Sequence, residues 1–353
     1  MPQKSSRPTK GYGGRGTAKG GRSAPRPTPM LPQITTVLSE EPDPTERDLL
    51  TLVQSIFRPL FAAPVALAAT IQTVKKSLFE RDYLNAFSLP EYLRAYVVRW
   101  SPSRALCYAH VIDRLDILAA AGGRDPATDE ILPSRWLCIG GGAGGEVLAL
   151  AWNARKHAVS GVDVTAVDIA DWADVFDDIR GGLDRKWDMQ PTADHECQDA
   201  DAVDSAKLEF TMDFRELDIL DATCAAEAGA SVDGEPAVEP LVDFSSFDVI
   251  TSLFTTNELF AQSRVRTMKL LSLITETAKP GTLFLVIESA GSYSDITVGS
   301  RTFPLHFLLD HALEMGWKCV HKNDATWFRV PEDFKYPLQL ENMRFFVRLY
   351  RKL

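Results

Sequence analysis

The sequence predicts an α/β fold: a seven-stranded, mostly parallel sheet with an antiparallel last strand, preceded by a helical N-terminal region. Two observations predict it. From residue 46 to residue 121, apolar residues such as Leu49, Leu50, Val53 and Phe57 recur at helical spacing. From residue 135 onwards, short β-like runs alternate with helical segments, which is typical of parallel strands joined by helices.

The alternating part supplies its elements in a regular order. The predicted strands are residues 135–139, 162–168, 207–217, 247–254, 282–287, 317–322 and 343–350. The helices between them are predicted at 144–156, 170–187, 263–278 and 305–315. In the helical region, we expect Pro102 to separate a helix over 84–100 from another over 104–121, because proline interrupts the helical hydrogen bonds.

The overall composition is that of a globular protein. The chain has 353 residues, of which 45% are apolar and 24% charged, so it can bury a sizeable core. The richest apolar run, residues 60–71, is too short to span a bilayer. The five cysteines show no CxxC spacing, and the six histidines show no ligand spacing. We therefore expect neither a disulfide scaffold nor a metal site.

Charge is divided unevenly along the chain. The net charge is −10, yet residues 1–30 carry seven basic residues and no acid, which leaves −17 for the rest. This tail also holds six glycines and five prolines, and we expect it to be disordered. Its segment 11–16, GYGGRG, is typical of arginine–glycine segments that bind RNA. The tail indicates a polyanionic partner and a nuclear or nucleolar address, or else it only aids solubility.

These differences predict three parts: a disordered basic tail (1–45), a helical region with predicted RNA contact (46–125) and an α/β domain (126–353). Residues 184–243 carry 17 acidic residues against 4 basic ones. We expect acidic surface insertions there, near residues 188–206 and 225–243.

The most informative segment is a glycine-rich loop, LCIGGGAGGE, between a predicted strand and a predicted helix. Glycines there let the backbone turn sharply and approach a ligand beside a helix N-terminus. Gly140, Gly142 and Gly145 match the GxGxxG loop that binds dinucleotides. Gly140, Gly142 and Gly144 match the GxGxG loop of S-adenosylmethionine-dependent methyltransferases. By itself, the loop therefore leaves two ligand classes open.

The rest of the chain separates these two classes. Asp168, at the end of the next strand, suits both, because either loop is followed by an acid that binds ribose hydroxyls. A dehydrogenase of this length usually begins with its glycine-rich strand, whereas about 130 residues precede the loop here. The last two predicted strands are the sixth and seventh of a methyltransferase sheet. An NAD(P)-dependent oxidoreductase is the less favoured alternative.

The chain resembles the class I methyltransferases, and more narrowly a fungal family that includes the large-subunit (25S) ribosomal RNA uridine-N3 methyltransferases. The resemblance extends over about residues 80–350. Besides the glycine-rich loop, four segments carry it: RWSPSRAL (99–106), LFTTNELF (253–260), ESAGSY (288–293) and DATWFR (324–329).

The resemblance implies S-adenosylmethionine as cofactor. Gly140, Gly142 and Gly144 would hold its methionine end and Asp168 its ribose. An acid near the end of the third strand would meet the adenine; Asp218 is preferred, with Asp213 and Asp221 as alternatives.

The loop departs from the family pattern at one position. Cys138 stands where class I loops usually place an acid, so Glu146 or a backbone carbonyl would have to replace it. This departure is the feature that favours a second hypothesis, a methyltransferase-like RNA-binding assembly factor with weak or no activity.

The acceptor side is predicted after Phe254, a predicted cofactor contact that ends the fourth strand at the ligand-binding edge of the sheet. Asn257 offers a donor and an acceptor that suit the imide edge of uracil, and Glu258 is the candidate proton acceptor. Asparagine and glutamate are also favoured at the start of a helix. The alternative is therefore that Asn257 and Glu258 only cap and charge the N-terminus of the next helix. The remaining residues predicted to line this side or contact the target base are Thr255, Thr256, Ser289 and Tyr293.

A separate series precedes the fold and suits RNA contact. It interleaves basic and aromatic residues: Arg94, Arg99, Arg104 and Arg114 with Tyr92, Tyr96, Trp100 and Tyr108. Such a series suits phosphate contact and base stacking, with Arg99 and Arg104 as the preferred RNA ligands. A solvated helix face is the alternative. The combined expectation is a nuclear, nucleolar RNA methyltransferase that acts on rRNA or a pre-ribosome.

Overall fold

The computed structural model describes residues 44–124, 131–159, 161–187, 209–222, 241–291, 294–298 and 300–353. The predicted basic tail, with its arginine–glycine segment, and nearly all of the two acidic insertions lie outside these residues. Tyr293 lies outside them as well.

A seven-stranded sheet forms the centre of the described chain. In chain order its strands are β1 (Ser134–Ile139), β2 (Gly161–Asp168), β3 (Glu209–Glu216), β4 (Val249–Leu253), β5 (Leu283–Ser289), β6 (Trp317–Phe328) and β7 (Met343–Lys352). Their order across the sheet is β6-β7-β5-β4-β1-β2-β3. Strands β1 to β5 pair in parallel, and β7 is antiparallel to both β5 and β6. This confirms the predicted fold class and the predicted antiparallel seventh strand.

The inner strands β1, β2, β4, β5 and β7 bury both faces, which explains why they read as largely apolar runs. The edge strands β3 and β6 leave many of their side chains exposed. In β1, Trp136 and Cys138 belong to one hydrophobic cluster, whereas Leu137 and Ile139 belong to the other. Because side chains alternate along a strand, the two clusters lie on opposite faces of the sheet.

Helices cover both faces. In chain order they are α1 (Arg47–Ile56), α2 (Arg58–Phe61), α3 (Pro64–Phe79), α4 (Tyr83–Ala86), α5 (Pro90–Arg114), α6 (Ile117–Ala121), α7 (Gly145–His157), α8 (Ala173–Trp187), α9 (Thr256–Gln262), α10 (Arg264–Thr277) and α11 (Leu305–Leu313). The longer helices of α1–α8 contribute to the first cluster, and α9–α11 to the second. The N-terminal helices thus share a core with the sheet: Asn153 of α7 donates to the carbonyl of Ala109 in α5 at 3.0 Å.

The expectation that Pro102 separates two helices is wrong. Helix α5 continues through Pro102, which cannot donate the usual hydrogen bond to the carbonyl of Val98. The hydroxyl of Tyr336 donates to that carbonyl instead, at 2.9 Å. The predicted helix over 104–121 ends earlier, because Asp116 has a left-handed backbone with φ of 50° and divides α5 from α6.

Three further elements of the structure differ from the prediction. Helix α9 occupies residues for which no helix of their own is predicted, directly after β4. A two-stranded hairpin pairs Asp295–Val298 with Arg301–Pro304. A second, two-residue pair joins Gly123–Arg124 to Ile131–Leu132.

Candidate active site at the carboxyl ends of the strands

The glycine-rich loop leaves β1 and leads into α7. Gly140 has φ of +73°, and a Cβ atom there would lie 2.2 Å from Oγ1 of Thr255. A Cβ atom at Gly142 would lie 2.0 Å from Cδ1 of Trp172. Glycine is therefore required at both positions, because the loop passes so closely between its neighbours.

Asp168 lies at the carboxyl end of β2 and is connected to this loop. Its carboxylate accepts hydrogen bonds from the backbone N–H of Gly142 at 3.1 Å and of Ala170 at 3.3 Å. Burial raises the pKa of Asp168, and these backbone N–H groups counteract part of that shift. The structure thus brings together the loop and the acid that the sequence pairs.

Glu146 lies beneath the loop beside Cys138. Its side chain is 4% exposed and accepts a hydrogen bond from the hydroxyl of Thr251. A Cβ atom at Gly141 would lie 3.1 Å from Oε2 of Glu146 and 2.7 Å from Cβ of Cys138. Desolvation raises the pKa of Glu146 to about 8. A buried carboxyl group therefore does lie at the loop, although it comes from α7 rather than from β1.

Asp218 follows β3 by two residues. It accepts hydrogen bonds from the backbone N–H of Leu220 at 3.0 Å and from the side chain of Gln262 at 2.9 Å. Its side chain is 19% exposed, against 59% for Asp213 and 58% for Asp221. Asp218 is thus the most enclosed of the three candidate acids.

Phe254 follows β4 with an unusual backbone. Its φ of 58° lies in the left-handed region, which is strained for a bulky residue. Its backbone N–H donates to the carbonyl of Ile287 at 2.7 Å, which holds the turn against β5. The Phe254 ring lies near that of Tyr108, with 6.3 Å between centroids. This turn directs the following residues into the space beyond the ends of β4 and β5.

Helix α9 carries the predicted acceptor residues. Asn257 is 7% exposed, and its side-chain Nδ2 has no hydrogen-bond partner within the described residues. The same holds for the buried Oε2 of Glu258. Thr255 is the N-cap of α9 and makes no side-chain cap bond, so Asn257 does not act as the cap. Thr256 is buried, and its hydroxyl pairs with that of Ser252 at 2.7 Å.

Glu288, near the end of β5, is a site residue for which the sequence predicts no role. It is 2% exposed and accepts hydrogen bonds from the backbone N–H of Asn257 at 3.1 Å and of Ser289 at 2.9 Å. Desolvation raises the pKa of Glu288 to about 7, and the charge of Glu258 adds to this shift. The available signal was an acid that ends an otherwise apolar strand, LFLVIES.

Ser289, the residue after Glu288, borders a cavity of about 230 Å³. Gly291, His306 and Phe346 also line the cavity, and Ser294 contributes a buried hydroxyl with no hydrogen-bond partner within the described residues.

The arginines of α5 have different surroundings. Arg94 pairs with Asp178 at 2.8 Å and Asp174 at 3.3 Å. Arg99 pairs with Glu341 and donates to the carbonyl of Gln339 at 3.0 Å. Arg104 instead points at the ring of Phe254, at 5.5 Å from Cζ to the ring centroid. Arg104 thus lies at the glycine-rich loop, whereas Arg94 and Arg99 hold α5 to other parts of the chain.

Across the described ranges, no helix combines the length and apolarity needed to cross a membrane. Those ranges also contain no group of three or more potential metal ligands.

Comparisons with known proteins agree with this geometry. Residues 54–351 match a family model described as "Putative SAM-dependent methyltransferase". Over 314 residues the chain is 36% identical to the 25S rRNA (uridine(2843)-N(3))-methyltransferase of Saccharomyces cerevisiae. That alignment covers 81% of this chain and 78% of the yeast protein.

Similarity to solved structures is weaker. The N-methyltransferase NodS from Bradyrhizobium japonicum in complex with S-adenosyl-L-homocysteine is 12% identical, with a TM-score of 0.35, over 80% of this chain and 98% of NodS. An rRNA methylase from Streptococcus thermophilus is 9% identical, with a TM-score of 0.32, over 67% of this chain and 93% of the methylase. These TM-scores are too low to support any argument about function.

The family model spans most of the chain, and the yeast relative shares more than a third of the aligned residues. The chain therefore belongs to the family of S-adenosylmethionine-dependent methyltransferases, enzymes whose cofactor is S-adenosylmethionine.

Proposed function

We propose that this protein methylates N3 of a uridine in large-subunit ribosomal RNA. The observation that carries the proposal is the 36% identity to the yeast 25S rRNA uridine-N3 methyltransferase over 314 residues. The polar residues of α9 support it, since Asn257 and Glu258 both bury side-chain atoms without hydrogen-bond partners in the described chain.

The residues at the loop fit the cofactor of the family. Gly140, Gly142 and Gly144 bring a loop without side chains to the N-terminus of α7, where backbone N–H groups suit a negatively charged group. The carboxylate of Asp168 suits the ribose hydroxyls, and that of Asp218 suits the adenine amino group. Glu146 takes the part of the acid that Cys138 replaces. When bound, the cofactor supplies a methyl group already activated by the sulfonium.

The chemistry left to the protein is to orient the base and remove one proton. The edge of uracil presents N3–H between two carbonyl oxygens, and the Asn257 amide can donate to one of those oxygens. Glu258 would accept the N3 proton, so that N3 could take the methyl group that the bound cofactor would supply, leaving the sulfur as a neutral thioether. Phe254 places both side chains by directing the chain into α9.

RNA contact is proposed for Ser289 and Tyr293, whereas the predicted RNA ligand Arg99 is committed to Glu341 and the carbonyl of Gln339. Thr256 is better suited to position α9, because its hydroxyl is committed to Ser252. The basic tail, with seven cations in residues 1–30, suits contact with the pre-ribosome and a nuclear, nucleolar location.

The direct test is mass spectrometry of large-subunit rRNA nucleosides from cells that lack the protein. We expect N3-methyluridine to decrease, to return with the wild-type gene and not to return with Glu258→Gln. The purified variant should still bind S-adenosylhomocysteine, because Glu258 lies on the acceptor side. If N3-methyluridine stays unchanged without the protein, the proposed acceptor is wrong. If Glu258→Gln restores it fully, the assigned proton acceptor is wrong.

A second candidate function is a methyltransferase-like assembly factor with weak activity, which Cys138 favours. The same experiment separates the two functions. An assembly factor would leave every methylated nucleoside in place while ribosome production falls.

A further inference from the structure

One face of helix α5 lies along the glycine-rich loop. The hydroxyl of Ser101 donates to the carbonyl of Ala143 in the loop at 2.7 Å, and that of Tyr108 donates to the carbonyl of Leu253 at 3.4 Å. Arg104 lies between them at helical spacing, so all three side chains share this face. A Cβ atom at Gly145 would lie 3.7 Å from Cβ of Arg104. The Cβ atom of Arg104 therefore lies against the start of α7.

The Arg104 guanidinium is enclosed by aromatic rings and forms no ion pair with an acidic residue of the described chain. It donates to the hydroxyl of Tyr96 at 2.6 Å, and its Cζ lies 5.6 Å from the Tyr96 ring centroid and 5.5 Å from that of Phe254. Among the described residues, no carboxylate oxygen lies within 4.0 Å of it. Arg94 and Arg99, on the same helix, both have such partners.

The carboxyl groups that act on Arg104 from a greater distance are Glu146 and Glu288. Burial raises the pKa of Glu146 to about 8 and that of Glu288 to about 7. Both groups therefore hold a proton for much of the time near neutral pH and compensate only part of the guanidinium charge. An enclosed guanidinium is stabilised by an anion that can accept its parallel N–H groups.

We propose that Arg104 binds the α-carboxylate of the methionine part of S-adenosylmethionine, rather than an RNA phosphate. A carboxylate is planar and can accept two parallel N–H groups of one guanidinium. The inference depends on the proposed cofactor site but not on which RNA is methylated.

The test compares two ligands that differ in the amino acid part. S-adenosylhomocysteine carries the carboxylate, whereas 5′-methylthioadenosine keeps the adenosine and the sulfur but has no amino acid. For Arg104→Met, we expect calorimetry to show the Kd of S-adenosylhomocysteine rising about 30-fold or more, while that of methylthioadenosine changes less than about twofold. Arg94→Met is the matched control on the same helix and should change neither Kd.

Two further variants keep the test decisive if Arg104→Met does not fold. Arg104→Lys keeps the charge but loses the planar pair of donors, so S-adenosylhomocysteine should bind about 5- to 10-fold more weakly. Tyr96→Phe removes the hydrogen bond that orients the guanidinium and should weaken the same ligand, again without affecting methylthioadenosine.

Two outcomes would overturn the proposal. An equal loss for both ligands would mean that Arg104 only supports the loop. Unchanged S-adenosylhomocysteine binding together with weaker binding of an rRNA fragment would assign Arg104 to an RNA phosphate. Failure of the wild-type protein to bind S-adenosylhomocysteine would contradict the cofactor site itself. Normal binding without rRNA methylation would contradict only the proposed acceptor.

Discussion

Glu146 and Glu288 are almost completely buried carboxyl groups at the end of the sheet. Each is held by hydrogen bonds that fix its position: Glu146 by the hydroxyl of Thr251, Glu288 by the backbone of Asn257 and Ser289. Burial outweighs these bonds and raises both pKa values. The end of the sheet thus holds two groups that can exchange a proton near neutral pH.

The raised pKa of Glu288 has a consequence for folding stability. Its pKa is about 7 in the folded chain, against an ordinary value of 4.5. Between these values the folded state holds a proton that the unfolded state has released, so the free energy of unfolding falls as the pH rises. The full effect is about 3 kcal/mol, present below pH 4.5 and lost by the time the pH exceeds 7.

Glu288→Gln should remove this contribution. We expect the wild-type protein to lose about 2–3 kcal/mol more than the variant between pH 5 and pH 7.5, measured by urea unfolding of both proteins at both pH values. All other titrating groups are common to the two proteins, so the difference isolates Glu288. If the free energy of unfolding depends on pH in the same way in the two proteins, then Glu288 does not hold the proton assigned to it.

Local pattern was enough to predict Asp168 beside the glycine-rich loop, because both follow directly from strand ends that are adjacent in a parallel sheet. It was not enough for Glu288, whose partner Asn257 lies 31 residues earlier in the chain. Nor does local pattern distinguish Arg104 from Arg94 and Arg99. Their difference depends on acids supplied by α8 and by the segment before β7.

At the scale of elements, α5 has the largest departure from expectation. A helix of 25 residues passes through a proline because a side chain from a distant segment replaces the missing donor. This continuity matters for the site, because Ser101 precedes Pro102 and Arg104 and Tyr108 follow it. All three side chains lie on the helix face toward the glycine-rich loop. A break at Pro102 would turn that face away.

The hydrogen bond from Tyr336 to the Val98 carbonyl can be tested by a double-mutant cycle. Tyr336→Phe leaves a buried carbonyl without a partner and should lower the free energy of unfolding by about 1–2 kcal/mol. In the Pro102→Ala variant, the new backbone N–H of residue 102 can donate to the Val98 carbonyl. In that background, Tyr336→Phe should therefore lower the free energy of unfolding by about 1 kcal/mol less than in the wild type.

Urea unfolding of the four proteins measures this cycle. Tyr92→Phe is the control, since Tyr92 lies on α5 and no hydrogen bond of its hydroxyl occurs within the described residues. It should change stability by less than about 0.5 kcal/mol. If the effects of Tyr336→Phe and Pro102→Ala on the free energy of unfolding simply add, then the Tyr336 hydroxyl does not replace the missing backbone donor at Pro102.

The inner strands could be predicted because each is buried on both faces and is followed by a turn or a helix, whereas the edge strands β3 and β6 leave many side chains exposed. Helix α9 could not, because its seven residues directly follow a strand and directly precede the longer α10. The hairpin over 295–304 was missed for a related reason. Its strands have four residues each and leave mostly exposed side chains.

At the scale of the whole molecule, one sheet separates two hydrophobic clusters, and the N-terminal helices belong to the first of them. The glycine-rich loop, Asp168 at the end of β2 and the proposed acceptor residues of α9 all lie at the carboxyl ends of adjacent strands. Strand order alone therefore assembles the site, as expected for an open α/β sheet. The antiparallel β7 distinguishes this sheet from that of a dinucleotide-binding domain.

The central claim is that this site methylates N3 of a uridine in large-subunit rRNA. The most direct measurement expresses the chain in Saccharomyces cerevisiae cells that lack the 25S rRNA uridine-2843 N3-methyltransferase. Mass spectrometry of the 25S rRNA fragment that contains this uridine then follows the modification. We predict that the wild-type chain restores N3-methyluridine at this position and that Glu258→Gln, expressed to the same level, does not. An unmodified uridine in cells with abundant, folded wild-type protein would contradict the claim.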